Sequence, residues 1–223
     1  MKKLVLVLFL SLYSFAFLFS QSEIKNVDIQ SEFLKLLNDY RVSEKLNTVV
    51  LSEDLHKASK ILSDYYCSAG IEKEKQEDGS YKIKTLLKHG HPDYDSFKNL
   101  LMSVNPDLTP LFVYERNKEN FKRSNFYITE NIAFFTGEVI KNNPNEISER
   151  FFRMWKNSIP HRFTMLEEDV TQIGITVSYI DVEYDNKVIK YDGKVFPPKE
   201  IVTLEKATER IYYVSILFLN EEK

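Results

Sequence analysis

The run Ile173-Gly174-Ile175-Thr176-Val177-Ser178-Tyr179 decides the class of fold. Ile173, Ile175, Val177 and Tyr179 alternate with Gly174, Thr176 and Ser178, which is the period of a strand with one buried face. Upstream the period is different. Ile147, Phe151 and Trp155, with Met154, recur every three to four residues and predict a long helix that begins after Pro144 and ends by Pro160. Downstream, Ile211 to Leu219 reads as a second strand closing the chain. Between the two strands, Val188 to Tyr191 and Lys194 to Phe196 flank Asp192-Gly193, a dipeptide suited to a two-residue hairpin turn, and this arm reads as peripheral.

Toward the N-terminus the pattern is helical. Phe33, Leu36, Leu37 and Tyr40 give Ser31 to Leu46 one apolar face. Val49 to Leu51 is a short extended link, and Ser52 is a natural N-cap for a helix striped by Leu55, Ala58, Leu62, Tyr65 and Tyr66 and ended by Gly70. Glu72 to Ser80 is charged and turn-rich, which predicts a solvated loop, and Tyr81 to Leu87 fits either a strand or a short helix. Proline makes His89-Gly90-His91-Pro92 irregular, and Phe97, Leu100, Leu101 and Val104 form a short helix stopped by Asn105-Pro106. Asp107 to Thr129 is mixed, with turns. Helices first, strands late and no glycine-rich loop after any strand predict an α+β layered domain with no nucleotide cofactor.

The chain has 223 residues, with 30 Lys and Arg against 33 Asp and Glu, and a net charge of −3. Lys2 and Lys3 precede Leu4 to Phe19, apolar apart from Ser11 and Ser14, and Ser20 offers a small residue for cleavage. That layout predicts a signal peptide over residues 1–20 and a secreted or periplasmic protein. Leu18 stands where a second small residue is preferred, so an uncleaved anchor is the rival reading. Residues 21–29 then form a short linker and 30–219 one domain, with a hairpin extension at 184–200. No second apolar run is long enough to cross a bilayer, and no basic face carries interleaved aromatics, which argues against a further membrane span and against nucleic-acid partners. Cys67, the single cysteine, has no intramolecular disulfide partner and reads as a buried, inert thiol.

Chemistry concentrates in few residues. His56 lies within a helix beside its apolar stripe and reads as a surface residue, whereas His89, His91 and His161 occupy loops and helix ends, where scaffolds present functional groups. Glu130 stands just before Ile132-Ala133-Phe134-Phe135, so its carboxylate is expected to be partly buried and to need an imidazole, arginine, metal or backbone donors.

Taken in order, several motifs resemble the CAP superfamily, or SCP domain, of cysteine-rich secretory proteins, antigen 5 and plant pathogenesis-related proteins. They are Leu37-Asn38-Asp39-Tyr40-Arg41, Leu51 to Ala58, Glu130-Asn131-Ile132-Ala133, then Trp155, Ser158, His161-Arg162 and Met165-Leu166, and finally Ile173-Gly174-Ile175. The tryptophan-to-histidine segment looks like the bacterial branch. The resemblance implies a three-layer α-β-α sandwich on a small, mainly antiparallel sheet. It also implies a cleft with two histidines and one or two glutamates, where some members bind zinc. Carried over, Glu130 is the motif glutamate and His161 the histidine after the tryptophan helix. His91 is the loop histidine, with His89 as alternative, because Asp95, Ser96 and Phe97 resemble the residues downstream of the family's histidine. Departures are Ser158 in place of a second glutamate, Thr129 and Pro160 in place of glycines, and the missing cysteine framework.

Two functions are consistent with this set of residues. One is a secreted module whose cleft binds a divalent metal, zinc or another, through His91 (or His89), His161 and Glu130, or binds a small, lipid-like or cell-envelope ligand. The other is a hydrolase with Glu130 as base toward metal-bound water, or with Ser158 and His161 as a nucleophile and base pair.

Overall fold

In the computed structural model, the residues described are 26–69, 71–77, 81–85, 87–112, 116–117, 120–121, 126–137, 143–190 and 201–221. The expected signal peptide, the first residues of the linker, Gly70 and the Asp192-Gly193 turn lie outside them.

Helix α1 spans Asn26–Ser43, strand β1 Val50–Leu51 and helix α2 Glu53–Ser68. Strands β2, Ile71–Lys75, and β3, Tyr81–Thr85, pair antiparallel. Helix α3, Phe97–Val104, leads through a 3₁₀ turn at Pro106–Leu108 into the one-turn helix α4, Thr109–Phe112. The short strands β4, Arg116–Asn117, and β5, Asn120–Phe121, precede strand β6, Phe126–Gly137. Helices α5, Pro144–Lys156, and α6, Ile159–Met165, come next, and strands β7, Val170–Lys190, and β8, Ile201–Glu221, complete the order.

The main sheet runs β1-β7-β8-β6, with β1 parallel to β7 and the other pairs antiparallel. Central β8 is buried on both sides from Arg210 to Asn220. Its alternate residues divide between two cores, as period-two geometry requires. Tyr212, Val214, Ile216 and Phe218 join Ile29, Phe33, Leu37, Phe151 and Trp155 of α1 and α5. Ile211, Tyr213, Leu217 and Leu219 join Leu55, Leu62, Tyr66, Leu100 and Leu101 of α2 and α3. Two helical layers on one mixed, mainly antiparallel sheet make the α+β, three-layer α-β-α sandwich that the sequence predicts.

Close approach of one helix depends on a missing side chain. A Cβ on Gly174 would lie 2.1 Å from the backbone carbon of Leu55 and 2.3 Å from the nitrogen of His56, so α2 sits directly on β7 there. The other helical layer is tied to the sheet by amides. Asn26 accepts from Val177 N at 2.8 Å and donates to Val177 O at 3.2 Å, and Asn38 pairs both backbone groups of Val49. Buried Arg41 donates to the carbonyls of Asn47, Met165 and Glu167, which joins the end of α1 to the end of α6.

Three elements differ from the sequence expectation. α1 starts five residues earlier than Ser31, because Asn26 finds its partners on a strand remote in sequence. Residues 72–75, expected in a solvated loop, form β2, since pairing with β3 satisfies their backbone while charged side chains such as Glu74 and Lys75 stay exposed. α5 ends at Lys156, before Pro160 as expected, but Pro160 and His161, read as a helix end, belong to a further helix, α6. Pro160 lies in the first turn of α6, where a proline's missing N–H has no partner to lose. Of the arm expected at 184–200, residues 184–190 continue β7, with Lys190 paired to Ile201 at the start of β8, and 191–200 lie outside the described residues.

Candidate functional site around Glu130

Strand β6 places Ile128, Glu130, Ile132 and Phe134 in one row, and the α2–α3 layer packs over it. The Glu130 side chain is fully buried, and three groups compensate it. Tyr66 Oη on α2 donates to both carboxylate oxygens, at 2.9 and 3.1 Å. Ser215 Oγ on β8 donates to Oε1 at 2.7 Å. His89 Nδ1 lies 3.0 Å from Oε2. Burial and the adjacent carboxylate push the Tyr66 hydroxyl far above its ordinary pKa, so it stays a donor. Hydrogen bonding to Glu130 raises His89 above the ordinary imidazole range, with burial opposing.

Gly90, at φ 91°, lets the loop reverse between the two histidines. His89 therefore meets Glu130, while His91 turns into an aromatic cage, 4.6 Å from the Tyr65 ring and 5.3 Å from the Tyr94 ring. His91 Nδ1 accepts from Asp93 N at 3.2 Å. The sequence ranks His91 first for the cluster, but the geometry gives that place to His89. The ranking rests on residues 95–97 downstream, whereas side-chain direction is set by the backbone at Gly90.

His161 reaches the same region from α6. The Asn131 amide donates to the His161 carbonyl at 2.9 Å, which fixes that helix against β6, and His161 Nδ1 lies 2.8 Å from Ser158 Oγ. Burial first and the charge of His89 second lower its pKa, so the two imidazoles sense each other. Ser158 occupies the N-cap position of α6 without capping it, its hydroxyl given instead to the imidazole.

A cavity of about 490 Å³ opens beside His89, walled by Tyr65, His91, Tyr94, Phe97 and Tyr127. A second, of about 310 Å³, is bounded by Ile132, Phe134, Trp155, Ser158 and His161. Since Ile128 lines the first cavity and Ile132 the second, Glu130 stands between them on β6.

Tyr66 and Ser215 are the two members of the cluster that sequence reasoning passes over. A hydroxyl on a buried helix stripe and a lone serine inside the apolar run Tyr212 to Leu219 both need a buried acceptor, and that is the available signal. His56, expected at the surface, is half-buried, with Nδ1 3.0 Å from Thr176 Oγ1 and 3.1 Å from Ile175 O. Close packing of α2 at Gly174 draws it in. Cys67 is half-buried, and burial pushes its thiol up to about 11, so it remains protonated.

The donor set can be tested for a metal. Both Nδ1 atoms are engaged, by Glu130 and by Ser158, which leaves Nε2 of each ring as the ligating nitrogen. Glu130, expected as a third ligand, is already bonded by three side chains, Tyr66, Ser215 and His89. Among the described residues no three His, Cys, Asp or Glu groups converge as a metal site. The nitrogen donors a metal could use here are the Nε2 atoms of His89 and His161, two ligands at most, which is the donor set of an open site and not of a closed structural one.

Among curated proteins, none matches the chain in sequence. Solved structures show similarity. An extracellular protein containing an SCP domain from Bacillus anthracis is 15% identical over 90% of this chain and 42% of its own, with a TM-score of 0.46. An outer surface protein of Borrelia burgdorferi is 12% identical over 89% of this chain and 97% of its own, at 0.40. A cysteine-rich secretory protein of Staphylococcus aureus is 13% identical over 88% and 40%, at 0.35. The chain thus spans about two fifths of the Bacillus and Staphylococcus proteins. The profile of the cysteine-rich secretory protein family, CAP, matches residues 34–191, a stretch that holds the Asn38 clamp, the Glu130-Asn131 strand, the Ser158–His161 helix start and the Gly174 contact. By that match over most of its length, the chain belongs to the CAP family.

Proposed function

We propose that the protein is a secreted binding module that holds a divalent ion, zinc in the first instance, between His89 and His161. The observation that carries this reading is the pair of occupied Nδ1 atoms, His89 on Glu130 and His161 on Ser158, an arrangement that fixes tautomer and ring orientation for ligation through Nε2. A bound zinc ion would supply Lewis acidity and open coordination positions for a ligand donor. Glu130 keeps the His89 ring directed and basic, and the aromatic wall of Tyr65, His91 and Tyr94 gives an apolar ligand body a place beside it. The lysine-led apolar segment Leu4 to Phe19 and the family's secretory description support a location outside the cytoplasm, which predicts a mature N-terminus at Gln21 by mass spectrometry.

Calorimetric titration with zinc tests the site. His89→Ala combined with His161→Ala is expected to abolish binding, Glu130→Gln to weaken it about 10- to 100-fold, and His91→Ala to leave it intact. Unchanged affinity in the double variant would sink the reading.

The 2.8 Å contact between Ser158 Oγ and His161 Nδ1 favours a second reading, a hydrolase in which His161 takes the serine proton. It ranks below the first because the two oxygens of Glu130 are engaged by Tyr66, Ser215 and His89 and do not orient His161. Turnover of ester or peptide substrates that disappears in Ser158→Ala would reverse the ranking.

A further inference from the structure

Among the described residues, two of the most exposed large apolar side chains share the helix that carries His161. Ile159 is 74% exposed and Phe163 69%, one helical turn apart on α6, and nearby Met154 at the end of α5 is 38% exposed. His161, two positions from each, lies on the opposite side of α6. Isolated surface hydrophobics are ordinary, but two this exposed on one short helix form a patch that water alone does not favour.

The stretch that carries the patch is basic, set between Glu149 and the acidic run Glu167-Glu168-Asp169. From Arg150 to Leu166 the sequence holds Arg150, Arg153, Lys156 and Arg162 and no acidic residue, in a chain whose net charge is −3. Arg153, Lys156 and Arg162 are exposed, Lys156 with its ammonium 4.3 Å from the centre of the Tyr40 ring. Arg150 is committed elsewhere, with its guanidinium 4.1 Å above the Phe135 ring. An exposed aromatic and aliphatic pair beside three exposed cations is the composition of a surface that seats its apolar tips at the headgroup boundary and its cations against phosphates.

We infer that α6 and the end of α5 form a docking face for an anionic phospholipid bilayer, with Ile159 and Phe163 inserted and Arg153, Lys156 and Arg162 paired to headgroups. A soluble polyanion would use the cations and have no use for Ile159 and Phe163, which is why a bilayer is the better occupant. Docking would bring α6, and with it His161, close to the membrane without requiring any ion at the site, so the docking face stands apart from the metal reading.

The test is flotation of the full chain with vesicles of phosphatidylcholine alone or mixed equally with phosphatidylglycerol. Only the excess partitioning onto anionic over neutral vesicles is read, because residues 4–19 can bind both kinds alike. Wild type should float with the anionic vesicles. The pair Ile159→Ser and Phe163→Ser should lower partitioning about tenfold or more, and neutralising Arg153, Lys156 and Arg162 to Gln should lower it by at least as much and remove its salt dependence. Because Trp155, the only tryptophan, is buried, Phe163→Trp adds a reporter whose emission should shift to the blue on anionic vesicles. Unchanged zinc affinity and melting in the serine variant separate this face from the ion site. Loss of binding only in the Gln variant would assign the face to a polyanion or an acidic protein and overturn the inference. So would an unshifted emission from the Phe163→Trp reporter, or equal partitioning of all variants.

Discussion

Glu130 is a buried carboxylate whose charge is shared among three donors from three separate segments, so each donor can be weighed by removing it. Tyr66→Phe leaves the ring and takes only the hydroxyl, and is expected to cost about 2 kcal/mol in chemical denaturation, the usual worth of a buried hydrogen bond to a charge. The two imidazoles should titrate apart. By NMR, His89 is expected above the ordinary value of 6.5 and His161 below it, and Glu130→Gln should bring His89 back down. Linkage gives the signs. The stabilising effect of His89 is full below the ordinary value and is lost as pH rises through its elevated folded pKa. That of His161 is full above the ordinary value and is lost as pH falls through its depressed folded pKa. Their joint contribution should therefore peak near the ordinary imidazole value, and Glu130→Gln should remove the decline on the alkaline side. Burial of Glu130 is legible because a carboxylate stands before an apolar run. The identity of its imidazole partner is not, since His89 and His91 differ only in which way a glycine turns the chain between them.

At the scale of elements, the contact between α2 and β7 has no slack. Gly174→Ala would drive a methyl into the Leu55 backbone, and a loss of about 3 kcal/mol by thermal or denaturant unfolding is expected. The end of α1 shows the opposite situation. Lys45 sits at φ 65°, with Leu46 N bonded to Arg41 O and Lys45 N to Val42 O, a left-handed helix stop held by a residue that tolerates it poorly. Lys45→Gly should raise stability by about 0.5 kcal/mol. The elements legible in the sequence are those in which one period runs uninterrupted, such as Ile173 to Tyr179, or in which a cap announces the start, such as Ser52, whose hydroxyl accepts from Leu55 N. Strand β6 escapes notice because Glu130 and Asn131 are buried along with their apolar neighbours, which erases alternation. The start of α1 escapes because its anchor, Val177, is far along the chain.

For the whole molecule, the sandwich depends on the strand at its middle. Among the described residues, β8 supplies both cores and is the sole sheet partner of β6, while β7 otherwise has only the two-residue β1. Its amides between Ile211 and Leu219 are expected to exchange more slowly than any in α3 or β2, measurable by native-state hydrogen exchange. A chain stopped at residue 200 should show no cooperative melting. Because β8 comes after both of its neighbours in sequence, neither core can close before β8 is in place, and the contacts that end the search are long-range and slow to find. Until that strand arrives the helices on both faces lack the surface they pack on, so the two layers are gained together in one late event and not one after the other.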